Sequence, residues 1–485
     1  MARGLAGGRS GDLTDLNKKS RPATFSPSCK PHPNSGNYSV QRAGVPERCV
    51  IVFDRSKLKY AIVAVAGWTT IVAAQQPVDL LPPPAPVVRP VNPPAPFVIE
   101  APVAPDWTAA DASKLVAVIE GVGVMGLSPS DYDPVGLRAA ISAGEGVPLN
   151  EVATRAFTKL IIDVREGRTP HAARVQWFVR DSDANATPTE TVINNALVEH
   201  DIARAIAALE PTHVDYAALK TMLAATKDPL KIATIRTNLE RWRWLPRDLG
   251  TRYVHVNVPE YMVRVVGKGK NIATYRAIVG APKTATPQLS ETAIGMIIHP
   301  TWTVPRSIIK ESVGGLIASN PARARAQGYR WTGTGANLSV VQDYGPGNSL
   351  GMMKLDMPNA HAIFLHDTPS KSLFGRPVRA LSHGCIRTDK AVEFAILMSI
   401  LQAGTDHRDA ADMFKAGLNN RIPFVEPVQV YVNYFTLAST GDGKLASFAD
   451  VYGRDGPVIA SLARSREDKV FAPQKVIKPI EAPGA

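Results

Sequence analysis

The pattern of apolar positions changes once along this chain. From Trp107 the apolar residues recur at helical spacing: Val152, Ala156, Leu160, Ile161 and Val164 share one face before Gly167 and Pro170 end the pattern. Thr108 followed by Asp111 is compatible with a helix start. Ile193, Ala196, Leu197, Ile202 and Ile206 repeat the spacing, Pro211 opens a segment with Tyr216, Leu219, Met222 and Leu223 on one side, and Ile232, Ile235, Leu239 and Trp242 predict a last amphipathic helix. That helix ends in Arg241, Trp242, Arg243 and Trp244, a run best read as packing where a new domain begins. After Pro246 the period becomes two. Val254, Val256 and Val258 alternate with Tyr253, His255 and Asn257, and the runs 261–266 and 272–279 flank Gly267, Lys268, Gly269 and Lys270, a hairpin turn signal. Residues 292–298, 362–365 and 428–434 read as further strands, and 307–317, 321–326 and 390–401 as helices. The expected class is α+β, a helical domain followed by a mostly β domain, with 300–330 interrupting the strands as a cap of helix and loop.

Composition bounds the ends of the chain. At 485 residues, with 45% hydrophobic and 20% charged, the chain is too long for one core and too ordinary for a disordered or polytopic membrane protein. Of the net charge of +12, residues 1–60 contribute most, with 11 Lys/Arg against 4 Asp/Glu, so nucleic acid is not indicated as a partner. Proline fills 11 of the 31 positions from Gln75 to Pro105, which predicts an extended spacer. Before it, Tyr60 to Ala74 is an uncharged run preceded by Arg55, Lys57 and Lys59. As a helix it would be about 22 Å long, short of a bilayer core of roughly 30 Å, which favours a cleaved export signal over a membrane anchor at 60–74. The expected organisation is a basic tail and signal or anchor segment at 1–74, a linker at 75–105, a helical domain at 106–246, a mostly β domain at 247–435, and an extension at 436–485 whose end is disordered.

The chemistry concentrates between His366 and Arg387. Cys29 and Cys49 precede the hydrophobic run, so an exported chain would keep one thiol, Cys385, with no disulfide partner. Around it stand Ser382, His383, Gly384, Ile386 and Arg387, with His366 and Asp367 upstream. A thiol needs an adjacent imidazole to be a useful nucleophile near neutral pH, and both His383 and His366 qualify. Gly384 leaves the backbone free to direct amides at a developing oxyanion, and Arg387 suits a substrate carboxylate. His366, His383 and Cys385 as zinc ligands are disfavoured, because structural zinc sites use four ligands at tighter pair spacing. Gly121, Gly123 and Gly126 have no preceding strand, so they make a poor nucleotide loop.

The pattern His366-x15-Ser382-His383-Gly384-Cys385-Ile386-Arg387 resembles the signature of YkuD-type L,D-transpeptidases. LERWRWLP at 239–246, PTWTVP at 300–305, PGNSLG at 346–351 and LHDTPSKSLF at 365–374 are similar to the long YcbB-like branch, which has a helical scaffold domain. That resemblance implies an exported, periplasmic enzyme of the peptidoglycan, using no cofactor and no metal. It would take a donor tetrapeptide stem, release D-Ala, hold the acyl group as a thioester on Cys385, and pass it to an acceptor stem in a 3→3 cross-link. It assigns His366 as base, oriented by the Asp367 carbonyl, and places His383, Gly384 and the Cys385 amide at the oxyanion. Arg387, Ser382, Phe364 and Trp302 would meet substrate, and carbapenem-type β-lactams would be inhibitors. Two features depart from relatives. Leu223 runs almost directly into the segment at 230–246, where relatives carry a peptidoglycan-binding module, and Phe364 stands where a tyrosine is common, keeping the ring without the hydroxyl. Transfer of the thioester to water or to an outer-membrane protein's amine, and a non-catalytic wall-binding scaffold, are the alternatives.

Overall fold

The computed structural model describes residues 105–180, 186–440 and 443–466. The hydrophobic run at 60–74, the proline-rich segment up to residue 104 and the tail from 467 lie outside the described residues. Among the described residues, no helix is long and apolar enough to cross a membrane.

Helices fill the first part. Thr108 caps Ala109–Gly121 by accepting the Asp111 amide, and the longest helix, Val147–Glu166, buries Leu149, Ala153, Phe157, Leu160, Ile161 and Val164 on one face. The pattern across 193–206 resolves into two helices, Thr189–Val198 and Ile202–Ala207, the second capped by Asp201. Val214–Ala225 and Pro229–Trp242 follow.

The second part is a ten-stranded sheet. Its order is Trp177–Phe178, Gln288–Ile298, Asn420–Asn433, Arg252–Asn257, Met262–Gly267, Lys270–Gly280, Ile386–Thr388, Leu365–His366 and Met353–Asp356, with Ala380–Ser382 on Lys270–Gly280. Met353–Asp356 pairs back onto Gln288–Ile298, so the sheet closes on itself. The hairpin sits at the expected place: Lys268 and Gly269 form its loop, both with positive φ, between paired Gly267 and Lys270. Inside lie Val254, Val256, Val263, Leu289, Met296, Leu355, Leu365, Ile386 and Val430, closed by Phe394 and Met398 of the helix Ala391–Ala403.

The interruption after Pro300 has its own small core of Val304, Ile309, Val313, Ile317, Ala324, Tyr329 and Val340. Helical turns from Arg306 to Ser319 and the helix Pro321–Ala326 pack on a three-stranded sheet of Trp302–Thr303, Ser339–Gln342 and Tyr329–Thr332. The cap therefore runs past residue 330 to Gln342, because its last strand, Ser339–Gln342, pairs with both Trp302–Thr303 and Tyr329–Thr332.

The junction is where the two tryptophans of the basic run are buried. Trp242 stacks on Phe435 and on His213, and Trp244 meets Trp177 edge to face. Behind them the fully buried Glu240 accepts from the Thr169 amide at 2.6 Å, Arg243 at 3.0 Å and Trp244 Nε1 at 3.3 Å. Burial alone would raise the pKa of the Glu240 carboxyl, but Arg243, the Thr169 amide, Arg174 and Trp244 together hold it below its ordinary value. Gly167, at φ +79°, passes so close that a Cβ there would lie 2.6 Å from the Trp244 ring. The segment after the last long strand straps both parts together: Arg241 pairs with Asp455 at 2.6 Å, and Arg168 donates to the carbonyls of Ser461 and Arg464. Glu240→Ala would leave Arg243 charged and dry; we expect a loss of about 3–5 kcal/mol, read as a lower urea midpoint.

Candidate active site

Strand register builds the site. Leu365–His366 runs parallel to Ile386–Thr388, with Leu365 opposite Ile386 and His366 opposite Arg387, while Lys354 faces His366 from the other side. Leu365 and Ile386 point into the core, so by alternation His366 and Arg387 share the opposite face. Cys385 immediately precedes its strand, and its half-buried thiol contacts the Ala362 carbonyl at 3.5 Å. Strand pairing thus sets His366 between Arg387 and Lys354, with Cys385 two residues before Arg387. Among the described residues no hydrogen bond joins the sulfur to an imidazole; such contacts often tighten only when substrate binds.

His366 is buried and its Nδ1 lies 2.5 Å from the Asp367 carbonyl oxygen. That acceptor keeps the proton on Nδ1 and leaves Nε2 with its lone pair. Asp367 is fixed in turn: its side chain accepts the Met352 amide at 2.9 Å and pairs with Lys371. Burial, then Arg387 and Lys354, push the His366 pKa down to about 3 against the opposing carbonyls of Asp367 and Leu350. Burial also raises the Cys385 thiol above 9.0, although the Phe364 amide, Lys354 and Arg387 favour the thiolate. The resting pair is thus neutral thiol and neutral imidazole. The sequence-based expectation of a thiol readied by its imidazole becomes proton removal during attack, because burial disfavours both charges.

Ser382, His383 and Gly384 form the loop that leads into Cys385. The Ser382 hydroxyl donates to the Cys385 carbonyl at 2.6 Å and accepts the Gly384 amide at 3.1 Å, so it locks the loop on itself. Gly384 takes φ +115°, and a Cβ would lie 3.2 Å from Ile363 Cδ1. The His383 ring is exposed and its Nε2 meets Glu311 of the cap at 2.9 Å. Arg387 has a buried Nε with no partner, and Phe364 presents its ring to Lys354 Nζ at 3.7 Å. Trp302 stands half-buried on the first strand of the cap.

Sequence reasoning missed Lys354 and Glu311. Lys354 sits between the buried Met353 and Leu355, an alternation present in the sequence but too short to stand out. Glu311 carried no signal, since only the chain path brings the cap against His383. Two pockets lie away from this site: one of about 290 Å³ lined by His213, Trp242 and Tyr253, and an open one of about 570 Å³ at 406–409.

Residues 251–406 match the YkuD family, the L,D-transpeptidase catalytic domain, and residues 103–223 match the scaffold domain family. At the level of family the chain is a YkuD-domain protein with a scaffold domain. A Haemophilus influenzae protein named as a candidate L,D-transpeptidase is 27% identical over 218 residues, covering 42% of this chain and 44% of that one. The chain thus spans less than half the length of that relative. Solved structures with local likeness include an L,D-transpeptidase from Mycobacterium smegmatis, 14% identical with a TM-score of 0.21, covering 38% of this chain and 58% of that one. L,D-transpeptidase 3 from Mycobacterium tuberculosis with a faropenem-derived adduct is 14% identical with a TM-score of 0.20, covering 38% and 60%.

The neutral pair has two measurable consequences. The rate of Cys385 alkylation by iodoacetamide, followed by intact mass, should climb about tenfold per pH unit from pH 6 to beyond pH 9; a plateau at neutral pH would mean a preformed thiolate. Because the folded His366 stays neutral down to about pH 3 while the unfolded imidazole titrates near 6.5, the unfolded chain binds more protons between those values. The stability held at this position is complete above about pH 6.5 and falls toward pH 3, and His366→Gln should flatten that part of the urea-midpoint profile.

Proposed function

We propose that this chain, a YkuD-domain protein with a scaffold domain, is an exported L,D-transpeptidase that joins peptidoglycan stems by 3→3 cross-links through a thioester on Cys385. One observation carries the reading: strand register sets His366, whose Nδ1 a backbone carbonyl holds, opposite Arg387, two residues after the half-buried Cys385. The domain match at 251–406 supports the same chemistry.

In this mechanism the sulfur attacks the carbonyl carbon of the third residue of a donor tetrapeptide, and His366 Nε2 takes the thiol proton. The Cys385 amide faces the oxyanion. The bond to D-Ala breaks, His366 returns the proton to the departing amine, and the acyl group stays on sulfur. An acceptor amine then attacks the thioester carbon, gives its proton to His366, and the thiol re-forms with that proton. Lys354 and Arg387 lower the energy of the transient thiolate, and the Arg387 guanidinium suits a stem carboxylate. Phe364 and Trp302 bound the donor stem, with the cap above it. Ser382 holds the loop, and His383 ties it to Glu311. The run at 60–74 would direct export to the periplasm as a cleaved signal or keep the chain at the membrane.

Purified protein incubated with tetrapeptide muropeptides should yield the 3→3 dimer and free D-Ala by mass spectrometry, and Cys385→Ala should abolish both. A carbapenem should add one mass to the wild type and none to Cys385→Ala. A tripeptide without dimer would assign the acceptor as water, and a stem on a protein amine would assign attachment of protein. Undiminished product with Cys385→Ala would refute thioester chemistry altogether.

A further inference from the structure

Thr286 lies outside the signature and is wholly buried, and its hydrogen-bonding groups converge on the nucleophile loop. Its hydroxyl donates to the Gly384 carbonyl at 2.7 Å while accepting the Gly280 amide at 2.8 Å. Its own amide donates to the Tyr452 hydroxyl at 3.3 Å, and its carbonyl accepts from Arg454 Nη2 at 3.0 Å. Tyr452 then donates to the Gly280 carbonyl at 2.6 Å. The same turn grips the loop twice more, since the Ser382 carbonyl accepts the Ala281 amide at 2.8 Å and the Thr284 hydroxyl at 3.0 Å.

The Gly384 carbonyl and the Cys385 amide belong to one peptide unit, which is planar and trans, so the two groups point in opposite directions. Pinning the carbonyl on Thr286 aims the Cys385 N–H away from Thr286, toward the open side of the loop, and it has no acceptor among the described residues. The Gly384 amide cannot serve as donor while the Ser382 hydroxyl holds it.

We propose that Thr286 is a positioning residue for acyl transfer, held by Tyr452 and Arg454 of the C-terminal extension, and that it aligns the Cys385 amide as the oxyanion donor. This deepens the function proposed above and rests on Cys385 being an acyl acceptor.

Two reactions of the same sulfur separate alignment from mere folding. Acylation by p-nitrophenyl acetate forms the S–C bond, passes through a tetrahedral oxyanion, and breaks the aryl ester as p-nitrophenolate, with the thiol proton taken by His366. Alkylation by iodoacetamide displaces iodide with no oxyanion. In the full chain, with Cys385→Ala as background, Thr286→Val should slow acylation on the order of 10²-fold. It should leave alkylation nearly unchanged, and Thr286→Ser, which keeps the hydroxyl, should recover most of the loss. Unchanged acylation in Thr286→Val, or equal loss in both reactions, would overturn the proposal. Should Thr286→Val fail to fold by circular dichroism, Tyr452→Phe decides: a selective fall in acylation supports the proposal and an unaltered rate overturns it. A wild type acylated by the ester at Cys385 but forming no 3→3 dimer would refute the proposed function alone; one not acylated at Cys385 would refute both.

Discussion

The arrangement depends on one parallel pairing, Leu365 opposite Ile386 and His366 opposite Arg387. Strand side chains alternate, so a slip of one residue would turn His366 into the apolar core and carry Leu365 out of it. The register is therefore enforced by burial of Leu365 and Ile386, both fully excluded from solvent. Packing of two apolar residues decides where the imidazole stands relative to the sulfur, and the closed sheet leaves those strands no edge along which to shift.

Electrostatics refine what packing sets. Two cations beside a thiol would ordinarily favour the thiolate, and a carbonyl on Nδ1 would ordinarily favour imidazolium. Burial outweighs both and disfavours charge on either group. Such a site keeps its sulfur quiet toward adventitious electrophiles and oxidants, which react with the ionised form. Lys354 and Arg387 would favour an anion on that sulfur.

Much of this could be read from the residues alone, and the boundary follows from range. The helices at 147–166 and 229–242 and the hairpin at 262–280 were legible because their signals are local: a repeating apolar face, or glycines in a short turn between two alternating runs. The group of His366, Cys385 and Arg387 was legible because the chemistry sits in a short span. The contact of Glu311 with His383 was not, since a surface glutamate looks the same wherever the chain carries it. The strand at 365–366 is shorter than the apolar run suggested, because Asn359 takes the Ile363 amide and carbonyl into a turn just before it. Thr286 was invisible for a similar reason: a threonine before a proline reads as a loop, and only tertiary structure shows three chain segments meeting on it.

The order of the sheet also bears on how the molecule comes into being. Asn420–Asn433 lies between Gln288–Ile298 and Arg252–Asn257, two strands made more than a hundred residues before it. A nascent chain ending short of residue 420 has those strands with a gap where their shared neighbour belongs, so the sheet stays open during most of synthesis. The helical part needs no such partner and can form early. The sulfur is thus assembled into its setting late, after the ribosome has delivered nearly all of the polypeptide.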